Sequence, residues 1–66
     1  MKNNIRVERA VKKMTQQQLA DLTGVSRQTI NAIESGKYIP SALLALKISR
    51  IFDKSVNDIF ELEEGE

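Results

Sequence analysis

The chain has 66 residues, 41% of them hydrophobic, with ten lysines and arginines against nine aspartates and glutamates, and it contains neither cysteine nor histidine. That length holds one small domain with a thin core, and the hydrophobic fraction is too high for a disordered tail. The missing residue types exclude disulfides, thiolate metal sites, thiol nucleophiles and histidine general bases, so binding is expected rather than catalysis, with no cofactor and no metal.

Apolar residues recur at spacings of three and four, not two, which predicts an all-α domain of five helices spanning residues 1–66. The first helix is expected from Asn4 to Lys13, with Val7, Ala10, Val11 and Met14 as one apolar stripe and Ile5 near its start. Thr15 followed three residues later by Gln18 is a capping box, opening a second helix from Gln16 to Leu22 or Thr23. Gly24 then supplies the turn. Ser26 caps a third helix, Arg27 to Glu34, which Gly36 stops. Lys37, Tyr38, Ile39 and Pro40 form a loop, because a residue before proline avoids the helical region.

Ser41 caps a fourth helix, Ala42 to about Asp53, whose apolar residues cover more than half its circumference. Ala45, Leu46, Ile48 and Phe52 are expected in the core, leaving Leu44 and Ile51 as a second stripe. Surplus apolar surface on so small a domain suggests a partner. Leu44, Ile51, Phe60 and Leu62 are therefore the expected homodimer interface, unless the first and fifth helices absorb both stripes. The fifth helix starts at Ser55, with Asp58 as its capping-box acid, and carries Val56, Ile59 and Phe60. The end, Phe60 to Glu63, alternates apolar and acidic. It reads either as a short extended segment, open to a β pairing between the termini, or as a frayed end.

Charge is segregated along the chain. Asp58, Glu61, Glu63, Glu64 and Glu66 lie in the last twelve residues, which hold no base, so residues 1–54 carry ten bases and four acids, a net of +6. A basic body with an acidic tail at 61–66 fits a polyanion partner, and it fits equally a domain whose charges merely segregate. No apolar run approaches the roughly 18 residues of a membrane span. The N-terminal residues are charged too early for a signal peptide, so a reduced, cytoplasmic setting is expected, with no membrane partner.

The stretch from Gln16 to Ser35 reads as helix, glycine turn, helix. Ala20 must be small where the two helices cross, and Leu19, Val25, Ile30 and Ile33 must be apolar to lock the crossing. Ser26, Arg27, Gln28, Thr29 and Asn31 remain outside. An α-helix fits the major groove of DNA, where arginine pairs with guanine and glutamine or asparagine with adenine. Taken without the surrounding motif, these residues would pass for an ordinary solvated face.

Thr15 to Ala20, Gly24 to Tyr38 and Pro40-Ser41 resemble the phage-repressor/Cro-like helix-turn-helix family, also called the xenobiotic-response-element family. The likeness runs from about residue 4 to residue 62 and is strongest to short single-domain members without a ligand-sensing domain. It implies a lambda-repressor-like fold and a transcriptional regulator of double-stranded DNA, a repressor acting as a homodimer on a pseudo-palindrome, with no small-molecule ligand. It also implies roles for single residues. Gln16 matches a glutamine that donates to a phosphate and buttresses the next helix. Arg27 and Gln28 match base-reading positions, and Thr29 and Asn31 match positions that meet bases or phosphates. Lys37 and Tyr38 match loop residues that grip phosphate, Ser26 the cap, and Arg9 an arginine that makes internal salt links. Three positions depart from the family pattern. Glu8 stands where leucine is usual, which rotates the first helix or pairs Glu8 with a base such as Lys12. Thr23 also replaces a common leucine, and Ala42-Leu43 reverses the usual apolar-then-charged order. A protein-interaction module, such as an antitoxin or bridging factor, is the alternative on the same fold.

Overall fold

Hydroxyl side chains start four of the five helices. In the computed structural model, which describes residues 1–66, Thr15 opens α2 (Gln16–Thr23), Ser26 opens α3 (Arg27–Glu34), Ser41 opens α4 (Ala42–Phe52) and Ser55 opens α5 (Val56–Ile59). Each accepts the N–H three residues on, satisfying a donor that the helix itself leaves without a partner. The capping boxes at Thr15/Gln18 and Ser55/Asp58 are both closed in the reverse direction as well. No helix is long and apolar enough to cross a membrane.

The remaining helix, α1 (Ile5–Lys12), has no side-chain cap. It is held by pairing of the chain ends. Strand β1 (Lys2–Asn3) runs antiparallel to β2 (Phe60–Glu61), with Asn3 opposite Phe60. The Asn4 N–H continues this pairing, donating to the Ile59 carbonyl at 2.8 Å. The alternating end is thus extended over Phe60 and Glu61, and Phe60 belongs to the strand rather than to the fifth helix. Lys13 and Asp53 lie just past the last helical residues, both in the left-handed region, where they close the C-terminal turns of α1 and α4.

The core consists of Ile5, Leu19, Ala20, Ile30, Ile33, Leu44, Ile48, Phe52, Ile59 and Phe60. Two expectations about helix faces are corrected here. Val7 and Val11 are 59% and 73% exposed and Ala10 is exposed too, while Ile5 and Glu8 turn inward. Three long-range links choose that face: the paired chain ends, the Asn3 amide donating to the Ile33 carbonyl at 2.8 Å, and an ion pair of Arg9 with Glu34. Glu8 meets Lys54 at 3.2 Å, not Lys12, and so ties α1 to the turn before α5. On α4, Leu44 is buried and Leu46 is 59% exposed, the reverse of the expected assignment. Packing of this helix against α2 and α5 selects the side that carries Leu44, Ile48 and Phe52.

The departures from the family pattern are accommodated. The buried Thr23 hydroxyl donates to the carbonyls of Leu19 (2.9 Å) and Ala20 (3.2 Å), so no polar atom is stranded. Leu43, at the usually charged position, is exposed to solvent.

Candidate nucleic-acid interface

A tight corner sets the direction of α3. Gly24 has φ of 79°, and the Ala20 carbonyl accepts from both the Gly24 N–H (2.8 Å) and the Val25 N–H (3.1 Å). A Cβ at Gly24 would meet nothing within 4 Å, so glycine is needed there for its backbone conformation and not for space. Ala20 is fully buried in the core, and α2 packs directly against α3. Ile30 and Ile33 hold α3 on the core, which turns Arg27, Gln28 and Asn31 outward. Arg27 and Gln28 are exposed and make no side-chain hydrogen bond or ion pair within the fold. The hydroxyls of Ser26 and Thr29 lie 3.0 Å apart and share one hydrogen bond, with Thr29 half-buried.

The last residue of α3 carries a side chain that sequence reading passed over. The Glu34 side chain is 1% exposed. Arg9 forks onto it, Nε to Oε2 at 2.6 Å and Nη2 to Oε1 at 3.0 Å, while Arg9 Nη1 donates to the Met14 carbonyl at 2.9 Å. Gln16 Nε2 donates to Glu34 Oε1 at 3.2 Å and to Asn31 Oδ1 at 3.2 Å. The expected buttress between α2 and α3 is therefore present, and both side-chain donors of Gln16 are occupied. Burial would raise the Glu34 carboxyl, but hydrogen bonds from Arg9 and Gln16 and the charges of Arg9 and Arg6 outweigh it and hold the group below the usual carboxylate range. The only acid of α3 is thus inside and neutralised, and the outer face of the helix carries no negative charge.

Lys37 and Tyr38 follow a closed helix end: the Gly36 N–H donates to the Ile33 carbonyl at 3.0 Å and the Lys37 N–H to the Ala32 carbonyl at 2.9 Å. Both side chains are exposed beside α3. Shallow depressions flank the helix on its two sides. Arg9, Lys13, Gln16, Gln17 and Arg27 line one, at the start of α2. Thr29, Tyr38, Ser41 and Lys47 line the other, at the start of α4. Lys13, Gln17 and Lys47 were not singled out from the sequence as contacts, and Ser41 was read only as a cap and as part of the family motif. For Lys13, Gln17 and Ser41 the signal is their position at or beside helix N-termini, where unpaired N–H groups and the helix dipole favour anions; Lys47, in the middle of α4, carries no such local signal.

Comparison with known proteins agrees with this geometry. The helix-turn-helix family model matches residues 5–59. The chain belongs to the helix-turn-helix family of phage-repressor/Cro type. It is 52% identical, over the whole of both chains, to an uncharacterized helix-turn-helix-type transcriptional regulator of Methanocaldococcus jannaschii. It is 48% identical to another of Bacillus subtilis, YgzD, over 97% of each chain. Its fold matches the restriction-modification controller protein C.AhdI of Aeromonas hydrophila with a TM-score of 0.77 and 28% identity, over 85% of each chain. The fold is thus the lambda-repressor-like domain, five helices with a short terminal strand pair, in a family of transcriptional regulators and not of enzymes.

Proposed function

We propose that this regulator binds double-stranded DNA sequence-specifically with α3 in the major groove, and that it acts as a repressor by blocking promoter access. The observation that carries the reading is that Arg27 and Gln28 stand exposed and unengaged at the start of a helix whose other face is locked into the core. Arg27, Gln28 and Asn31 supply base contacts. Ser26 and Thr29, already bonded to each other, serve the start of the helix. Lys37 and Tyr38, with Lys13 and Lys47 beyond them, grip the backbone on either side. Because the Gln16 side chain is occupied by Asn31 and Glu34, the phosphate donor at that helix start is its main-chain N–H, together with that of Gln17.

Binding-site selection followed by titration at several salt concentrations tests this. Gln28→Ala should cost about 1–3 kcal/mol on the selected site and relax the preference at one base position. Lys37→Ala should weaken selected and random duplexes alike and reduce the salt slope by about 1. Equal losses on both duplexes for both variants would refute base reading by α3.

A homodimer on a pseudo-palindrome completes the reading, with recognition helices about 34 Å apart. Leu44 and Phe60 are core residues and drop out of the expected interface. Ile51, half-buried, and Leu62, exposed, remain, and the exposed apolar side of α4 adds Leu43 and Leu46. Sedimentation equilibrium at tens of micromolar should give a dimer, and Leu46→Lys should give a monomer. A wild-type monomer at that concentration would remove the dimer.

A further inference from the structure

A carboxylate and two amides form a chain from the interior to the recognition face. Glu34, ionised and paired with Arg9, can only accept hydrogen bonds. Gln16 must therefore turn its amino group toward it, and Nε2 lies 3.2 Å from Oε1. The second hydrogen of that amino group faces the Asn31 amide, also at 3.2 Å. Facing a donor, Asn31 has to present its carbonyl oxygen there. The polarity of the exposed amide is thus set by the buried acid. An asparagine on a bare helix face could turn either end outward, but here the amino group is the end left with both hydrogens unused.

We infer that Asn31 reads the major groove as a donor, selecting a base with a keto oxygen, guanine or thymine, and that Gln16 is the positioning residue that imposes this choice. The inference rests on the DNA-binding reading above. The familiar asparagine pairing with adenine needs the amide carbonyl forward, accepting from the adenine amino group, beside an amide N–H on N7. With Oδ1 held back on Gln16, Asn31 offers an amino group instead. Guanine answers it with adjacent acceptors at O6 and N7, and thymine with O4, whereas cytosine presents only an amino group, and adenine sets beside its N7 an amino group that finds no acceptor once Oδ1 is held back.

The experiment is selection of the full chain on a pool of randomised duplexes, run in parallel for the wild type, Asn31→Ala and Gln16→Leu. Asn31→Ala should relax one position per half-site, by about tenfold in discrimination, and the wild-type base there should be guanine or thymine. Gln16→Leu leaves Glu34 with Arg9 but frees the amide of Asn31. It should lower overall affinity and, at that same position, admit adenine. A residue that only supports the fold would not move a single base preference in this way. A wild-type preference for adenine at that position would show Oδ1 still reaching forward through its second lone pair, and would overturn the inference. So would a preference for cytosine, an equal loss on every sequence (a phosphate contact), or an unchanged preference in Gln16→Leu. If the wild type enriches no sequence at all, the DNA-binding reading falls, and this inference with it.

Discussion

Arg9→Ala is expected to destabilise the domain by about 3 kcal/mol in urea unfolding, a large share of the roughly 3–10 kcal/mol typical of a domain of 66 residues. The size follows from what the substitution leaves behind. Glu34 has a side chain 1% exposed, against 15% for Arg9, so removing the arginine strands a buried carboxylate with Gln16 as its remaining close donor. Arg6, at 3.6 Å, is 75% exposed and screened by water, and it replaces little of the lost attraction. Arg9→Lys should recover only part of the loss. An ammonium keeps the charge but cannot fork both carboxylate oxygens and hold the Met14 carbonyl as well. A loss below about 1 kcal/mol in Arg9→Ala would mean that solvent reaches Glu34 freely and that the pair is an ordinary surface one.

The same pair shapes the acid limb of stability. Glu34 titrates below its free value, so the unfolded chain takes up this proton more readily than the folded one. The contribution is complete above the free glutamate value and is lost as the pH falls through the lowered folded value. Arg9, raised by its hydrogen bond to Glu34 against the effect of burial, titrates only in strong base and adds no slope there. In Arg9→Ala the part of the acid dependence that comes from this pair should disappear, so wild-type and variant stabilities converge as the pH drops.

Short-range chemistry made much of this fold legible in the sequence. A cap is decided within four residues, and Thr15/Gln18, Ser26, Ser41 and Ser55/Asp58 all act at the expected places. The outward face of α3 was legible for a related reason. The corner at Gly24, Val25 and Ser26 fixes where the helix begins, and Ile30 and Ile33 then leave Arg27, Gln28 and Asn31 outside. What could not be read locally was which side of a short helix turns inward. On α1 the stripe of Val7, Ala10 and Val11 is the more apolar, yet the side with Ile5 and Glu8 is buried, and of the expected stripe only Met14, past the helix end, packs on the core. Partners 25 to 54 residues away settle it, through Arg9 with Glu34, Asn3 with Ile33 and Asn4 with the Asp58 carbonyl. Glu34 was missed because an acid at the end of a helix looks like ordinary surface. Only the approach of Arg9 and Gln16 in space makes it the hub that orients Asn31.

Ile30→Ala should destabilise the domain by about 2–5 kcal/mol, enough to leave much of it unfolded at physiological temperature. A helix of eight residues is not stable alone in water, so α3 exists because its inner face is buried. That face is narrow: Ile30 and Ile33 are its buried apolar side chains, with Val25 packed alongside just before the cap. Truncating one of the two removes about half of the apolar anchor and opens a cavity against Leu19, Ala20 and the rest of the core, which a close-packed interior fills only in part. Ile30→Val deletes a single methylene and should cost about 0.5–1.5 kcal/mol. The pair separates anchoring from recognition. Ile30→Val should keep the wild-type base preferences, because Arg27, Gln28 and Asn31 still project from the same backbone, while Ile30→Ala should lose DNA binding in step with its folded fraction in urea. If Ile30→Ala stays folded with a loss under about 1 kcal/mol, the recognition helix is held by something other than this isoleucine pair.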